Sequence, residues 1–293
     1  MVYNFALPPL VLYTFYTEDA TALSRWAKDL KPVSNTTTFL NFLDSHDGIG
    51  LMGVKNILQK EDIIFIIKRA VANGGYISYK RSVSGTDEPY EINITWYSAL
   101  NPPESDEDIA LQVKRFVASR AVALVLQGVP GIYLHSLIGT QNDIEAVRAT
   151  KSKRAVNRTV LNAKAITEAL RDPLSKISRI NLELGRLIEI RTKKRAFHPN
   201  GDQHVLTISA GVFTVLRISP EGDQQILTLT NVTNNRCHIE VPLSELGTNK
   251  KKWRDLVKGE ECMADNQKLH RTMLPYDVIF LEPLNEFEKA LPG

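Results

Sequence analysis

The sequence predicts an α/β unit over residues 1–198 followed by a small antiparallel β domain over 199–293. Three observations carry this. Short apolar runs and longer segments of helical period alternate three times in the first part, the pattern of a parallel sheet. Pro199-Asn200-Gly201 then interrupts the chain, and beyond it come short β-rich runs separated by Gly, Asn and Pro. Third, the apolar run Thr38-Phe39-Leu40-Asn41-Phe42-Leu43 stops abruptly at Asp44-Ser45-His46-Asp47-Gly48-Ile49-Gly50. It reads as a buried strand that delivers polar groups to its C-terminal end.

Taken in order, residues 2–7 read as a strand closed by Pro8-Pro9, and 19–30 as a helix with Leu23, Trp26, Ala27 and Leu30 on one face, stopped by Pro32. After the central strand, 61–72 reads as a helix that buries Ile63, Ile64, Ile67 and Ala70. Residues 76–79 are strand-like, 82–88 loop-like, and 90–100 alternate in part. This excursion over about 51–100 is long for a strand-to-helix connection, as expected of a segment that shapes a pocket. Ser105 with Asp108 suggests a helix N-cap, and the helix runs to about Leu126. A short strand over 131–136, a polar, basic loop over 140–162 and a helix from Asp172-Pro173 to about Lys194 follow. In the second part, 204–208, 213–218, 226–231, 237–241 and 278–281 read as strands with polar-out alternation.

A content of 43% hydrophobic and 24% charged residues is globular and argues against disorder. A net charge of +3, spread along the chain, is too slight to imply a nucleic-acid partner. Cys237 and Cys262 form neither a metal-type spacing nor a disulfide framework, which fits a reducing compartment. Apolar residues 2–16 lack a basic leader and a small-residue cleavage site, so a buried strand and loop is expected there. No stretch approaches a membrane span. A cytoplasmic chain follows from these points.

His46 beside Asp47 at a strand end could bind a sugar hydroxyl pair, hold a metal or cap the next turn. Asp44 reads as structural. The wider wording, Phe39 to Gly50 as "FLNFLDSHDGIG", resembles the strand-seven carbohydrate motif of the α-amylase superfamily, and its "SHDGIG" form resembles the sucrose phosphorylase branch. Residues 2–15, 128–143 and 154–162 resemble that branch's sixth strand, its eighth strand with the following loop, and its arginine-bearing loop. The resemblance covers the whole chain but only the C-terminal half of the family's. It implies the last three βα units of a TIM-type (β/α)8 barrel followed by the antiparallel domain.

The resemblance further implies a retaining α-glucoside phosphorylase acting on a small sugar and inorganic phosphate, with no metal and no cofactor. Asp47 would be its transition-state stabiliser, His46 would bind a sugar hydroxyl and Arg158 would bind phosphate. Tyr90, Glu91 and Glu88 would line the substrate pocket. Where Asp87, Glu88 and Glu91 stand, sucrose phosphorylase proper has Leu, Asp and Gln, which puts plain sucrose in doubt and favours a charged acceptor. Arg148, Lys151, Lys153 and Arg154 read as solvated; Asn142 and Asp143 stay open between orienting the loop and no role. The family's nucleophilic Asp and acid/base Glu motifs are not found in this sequence. An inactive fragment is therefore expected, which self-associates or pairs with a separate N-terminal half-barrel. The alternatives are a sugar-binding or interaction protein, one half of a two-chain enzyme, or an α-glucosidase or transglucosidase of the same superfamily.

Overall fold

The computed structural model describes residues 1–32, 34, 36–82 and 85–284. The last stretch of the expected β domain, 285–293, and Val83 and Ser84 of the expected 82–88 loop lie outside the described residues.

The first part consists of β1 (Val2–Tyr3), α1 (Leu7–Thr17), α2 (Thr21–Lys28), β2 (Phe39–Phe42), β3 (Ile49–Gly50), α3 (Lys60–Ala72), β4 (Tyr76–Arg81), β5 (Asp87–Asn93), α4 (Trp96–Leu100), α5 (Ile109–Val125), β6 (Val129–Gly131), α6 (Ile144–Thr150), α7 (Ala163–Arg171) and α8 (Lys176–Lys193). Strands β1, β2 and β6 form a parallel sheet in the order β1-β2-β6, with Tyr3 opposite Leu40 and Phe42 opposite Gly131. Its middle is pinned by Asn41, whose side chain accepts from Asn4 Nδ2 at 3.0 Å and donates to the Gln127 carbonyl at 3.1 Å. Gly128 makes that approach possible: it has φ +131°, and a Cβ there would lie 2.7 Å from the Phe39 carbonyl oxygen.

Helices α1 and α5 pack against β2, and their Leu7, Leu10, Leu12, Ala121 and Leu124 are buried. The opposite face is open. Tyr3 and Phe5 are 60% and 56% exposed, and with Phe42 they form an aromatic cluster with ring centroids 5.5–5.9 Å apart. Strands β1 and β6 are both sheet edges. The expectation of a fully buried central strand is corrected accordingly, since Phe39, Leu40 and Phe42 are only half-buried.

Other expectations are also revised. Pro8 and Pro9 do not close a strand; they occupy the first turn of α1, where a missing N–H is an orphan in any case. Asp108, not Ser105, caps α5, accepting from Ala110 N at 2.9 Å. The strand expected over 131–136 is shorter and earlier, and Leu134–Leu137 is a 3-10 turn. The loop expected over 140–162 contains α6 and a 3-10 turn at Lys153–Asn157, and α7 precedes α8, which starts after Ser175 rather than at Asp172. Residues 87–93 are the strand β5, paired antiparallel with β3 and β4. In α3, Ile66 and Ala70 are buried while Ile64 is exposed.

The second part contains β7 (Asp202–Ser209), β8 (Val212–Ile218), β9 (Gln225–Asn231), β10 (Cys237–Pro242), β11 (Lys252–Asp255), β12 (Glu261–Met263), β13 (Lys268–Met273) and β14 (Val278–Pro283). Six strands form one antiparallel sheet, β12-β11-β14-β9-β8-β7, and β10-β13 form a second. Polar-out alternation fails at β8 and β9, which are buried on both faces. One face of the large sheet packs into the β domain's own core with Trp253 and Leu229; the other, with Phe213, Val215 and Phe280, joins the core of the α/β unit. The joint is tied by two arginines. Arg217 donates to the Val125 carbonyl at 2.9 Å and Arg191 to those of Leu124 and Gly128, which satisfies carbonyls at and beyond the end of α5.

Candidate active site

The C-terminal end of β2 leads into Asp44-Ser45-His46-Asp47-Gly48, which borders a cavity of about 400 Å³ running down the open face of the parallel sheet to Tyr3, Phe5 and Phe42. The first acid is held in a buried ion pair. Asp44 pairs with the buried Arg120 of α5 at 2.7 Å and accepts from Ser136 Oγ at 2.5 Å. Arg120 also donates to Ser136 Oγ, and its guanidinium lies 5.3 Å from the Trp96 ring centroid. Burial lowers the Arg120 pKa, against the pull of Asp44. This network joins the ends of β2 and β6 to α5 beneath the site.

Above it, the backbone turn is held from the side. Asn157 Nδ2 donates to the carbonyls of Ser45 and Asp47, at 3.1 and 3.0 Å, and the Asp47 N–H donates to Ser45 Oγ at 3.1 Å. His46 is largely exposed, with Nε2 3.6 Å from Asp47 Oδ2. The half-exposed Asp47 receives two guanidinium groups on Oδ1: Arg154 at 2.9 Å and Arg158 at 3.3 Å. Arg158 Nε also donates to the His46 carbonyl at 2.7 Å.

The hairpin of β4 and β5 reaches the site through Glu91. Its side chain, only 6% exposed, accepts from Gly48 N at 3.2 Å, from Arg154 Nη2 at 2.8 Å and from Arg154 Nε at 3.3 Å. These hydrogen bonds raise the Arg154 pKa above its ordinary value. Glycine is required at 48 for the fit, because a Cβ there would meet Glu91 Cγ at 2.4 Å.

The structure thus brings together four of the six singled-out residues: His46, Asp47, Arg158 and Glu91. Tyr90 is half-buried next to them, its carbonyl accepting from Leu51 N at 2.9 Å. Glu88 is elsewhere, paired with Lys55 at 3.0 Å beside a groove against α3; that hydrogen bond lowers its pKa. Arg154 and Asn157 are what the residue-by-residue reading missed. Arg154 is not a solvated charge but a bridge between Asp47 and Glu91. The available signal was spacing: it stands four residues before Arg158, and one 3-10 turn turns both toward Asp47. Lys153 is likewise engaged, donating to the Ile77 carbonyl at 2.7 Å, whereas Arg148 pairs with Glu145 in solvent.

Asn142 and Asp143 resolve as organisers of the loop. Asn142 ties Thr95 to the carbonyls of Asn73 and Gly74, and Asp143 caps α6 and accepts from Thr159 Oγ1 at 2.8 Å. His135 hydrogen-bonds Thr140 at 3.1 Å, and burial lowers its pKa. Among the described residues no group of three or more His, Cys, Asp or Glu side chains could hold a metal ion, both cysteines are free, and no helix is long and apolar enough to cross a membrane.

No protein-family model matches the chain. Individual relatives do. Over 291 residues the chain is 36% identical to a glucosylglycerate phosphorylase of Spirochaeta thermophila, covering 98% of this chain and 49% of the relative. It is 30% identical to a sucrose phosphorylase of Streptococcus mutans, over 75% of this chain and 42% of that one. The chain spans about half the length of the curated relatives it matches. Among solved structures, sucrose 6F-phosphate phosphorylase from Thermoanaerobacter thermosaccharolyticum superposes with a TM-score of 0.64 at 25% identity, over 78% of this chain and 43% of that one. The α-amylase from H. orenii shares the fold at a TM-score of 0.59 and 16% identity, over 96% of this chain and 48% of that one.

Proposed function

Because the chain is homologous along most of its length to about half of the glucosylglycerate and sucrose phosphorylases, within the α-amylase superfamily, we propose that it forms the C-terminal half of a retaining α-glucoside phosphorylase. In this reading β1, β2 and β6 are the last three strands of a (β/α)8 barrel. The open aromatic face is part of the barrel interior, and the end of β2 is on the catalytic rim. The domain division at about residue 198 belongs to the same reading.

Retaining transfer needs a nucleophile and an acid/base carboxylate. Both come from the half of the barrel that the chain does not contain. The nucleophile takes the anomeric carbon as the glycosidic bond breaks, and the acid/base group protonates the departing oxygen. Inorganic phosphate then displaces the enzyme carboxylate, and α-glucose 1-phosphate leaves. This chain supplies Asp47, which accepts hydrogen bonds from sugar hydroxyls that strengthen as oxocarbenium character grows, and His46, which donates to a neighbouring hydroxyl. Arg158 offers its planar donor fork to phosphate, and Tyr90 and Glu91 belong to the pocket wall. The acceptor is charged, glycerate or a sugar phosphate, in keeping with a higher identity to glucosylglycerate phosphorylase, 36%, than to sucrose phosphorylase, 30%.

The observation that carries the reading is the meeting of Arg158 with Asp47 beside His46 at the end of a parallel strand. Its test is reconstitution. The purified chain is assayed with α-glucosylglycerate and phosphate, alone and after co-expression with a polypeptide covering the unmatched half of the Spirochaeta thermophila relative. Glucose 1-phosphate is expected from the pair and not from the chain alone. Free glucose as the main product of the pair would instead favour a hydrolase.

A further inference from the structure

Two arginines share one oxygen of Asp47, but they are held very differently. Arg154 uses its Nε/Nη2 edge on Glu91 and its Nη1 on Asp47, so one guanidinium spans two carboxylates. Its Glu91 anchor is buried and is itself fixed by the Gly48 N–H. Arg158 rests on the His46 carbonyl and on a longer, 3.3 Å contact to the half-exposed Asp47. Charge-assisted, two-point pairing to a buried carboxylate holds a side chain more firmly than one hydrogen bond to a carbonyl and one longer contact to a half-exposed carboxylate.

We infer that Arg154 is a positioning residue: tethered by Glu91, it is the fixed counter-charge that orients Asp47, which leaves Arg158 as the guanidinium that turns to an incoming anion. The inference rests on the reading of Asp47 as the group that faces the sugar. It gives Glu91 a role through Arg154 rather than by direct contact with substrate. It also explains the close fit of Gly48, since any side chain at 48 would push Glu91 off the bridge. The β4–β5 hairpin is thereby coupled to the orientation of Asp47, so changes in that wall are transmitted to the stabilising carboxylate as well as to the acceptor.

The test uses the chain as it is, by NMR of the arginine Nε–H groups with inorganic phosphate as the probe. The Arg154 Nε–H is expected to exchange with water about tenfold or more slowly than that of Arg148, whose pair with Glu145 is exposed, and Glu91→Gln should remove most of that protection. In the unmodified chain, phosphate should move the Arg158 signal and leave that of Arg154 in place, a readout that needs no variant to fold. An Arg154 signal that exchanges as fast as Arg148, keeps its protection in a folded Glu91→Gln chain, or follows phosphate as far as Arg158 overturns the tether. Protection at Arg154 with no phosphate response at Arg158 supports the tether and counts against the phosphate role proposed for Arg158.

Discussion

Two of the sheets of this molecule, the six-stranded antiparallel one and the parallel one, solve the same problem differently. The six-stranded sheet of the C-terminal part is covered on both faces, by β10 and β13 on one and by helices of the α/β unit on the other, so that Trp253, Phe213 and Phe280 are almost wholly buried. The parallel sheet is covered on one face only. Its helical side is as dry as any core, while Tyr3 and Phe5 stand more than half exposed and, among the described residues, β1 and β6 each pair with β2 alone. A sheet must bury its apolar face to be stable, and open edges invite pairing. The large antiparallel sheet is therefore closed on both faces within this chain, while the parallel sheet keeps an open apolar face.

The largest expected effect probes the closed side. Trp253→Ala removes a fully buried ring and the partner of the Lys250 carbonyl, which its Nε1 reaches at 2.9 Å; it should cost about 3–5 kcal/mol by chemical denaturation. A loss below about 1 kcal/mol would mean that the domain is less tightly closed than the structure indicates.

A pH experiment sharpens the contrast from the other side. Lys176, in the first turn of α8, lies 4.2 Å from the Tyr97 ring centroid, and burial pushes it down to about 8. Its unfolded value is about 10.4, so between these two values the unfolded chain binds more protons and stability rises with pH. Relative to Lys176→Met, the unmodified chain should gain about 2 to 3 kcal/mol as pH rises from 8 to 10.4, with the penalty fully present below 8. Parallel pH curves for the two proteins would contradict this.

The smallest effect on stability is expected on the open face. Phe5→Ser removes an exposed ring and should change unfolding free energy by no more than about 0.5 kcal/mol by chemical denaturation. Strong destabilisation would mean that Phe5 is part of a closed core in solution.

Legibility in the sequence followed the same division between local and long-range physics. The alternation of strands and helices, the break at Pro199-Asn200-Gly201 and the polar end of β2 were readable because period and turn residues are local. Pro8-Pro9 misled because proline marks both the end of a strand and the first turn of a helix. The strands β11 to β13 were missed because charged residues interrupt them throughout and their buried apolar residues, Trp253, Leu269 and Met273, stand singly. At the site, the His46-Asp47 pair was visible as a motif. Arg154 was not, because its importance lies in Asp47 and Glu91, which are distant in sequence and meet only in the fold.

The central claim, that the parallel sheet has an open face and the large antiparallel sheet two covered ones, is tested most directly by hydrogen–deuterium exchange. The chain is compared alone and with a polypeptide covering the unmatched half of its Spirochaeta thermophila relative. The account predicts new protection in Val2–Tyr3, Phe39–Phe42 and Val129–Gly131, with exchange in Val212–Ile218 and Gln225–Asn231 unchanged. Protection that appears only in the β domain, or three parallel strands already as protected in the isolated chain as Val212–Ile218, would contradict it.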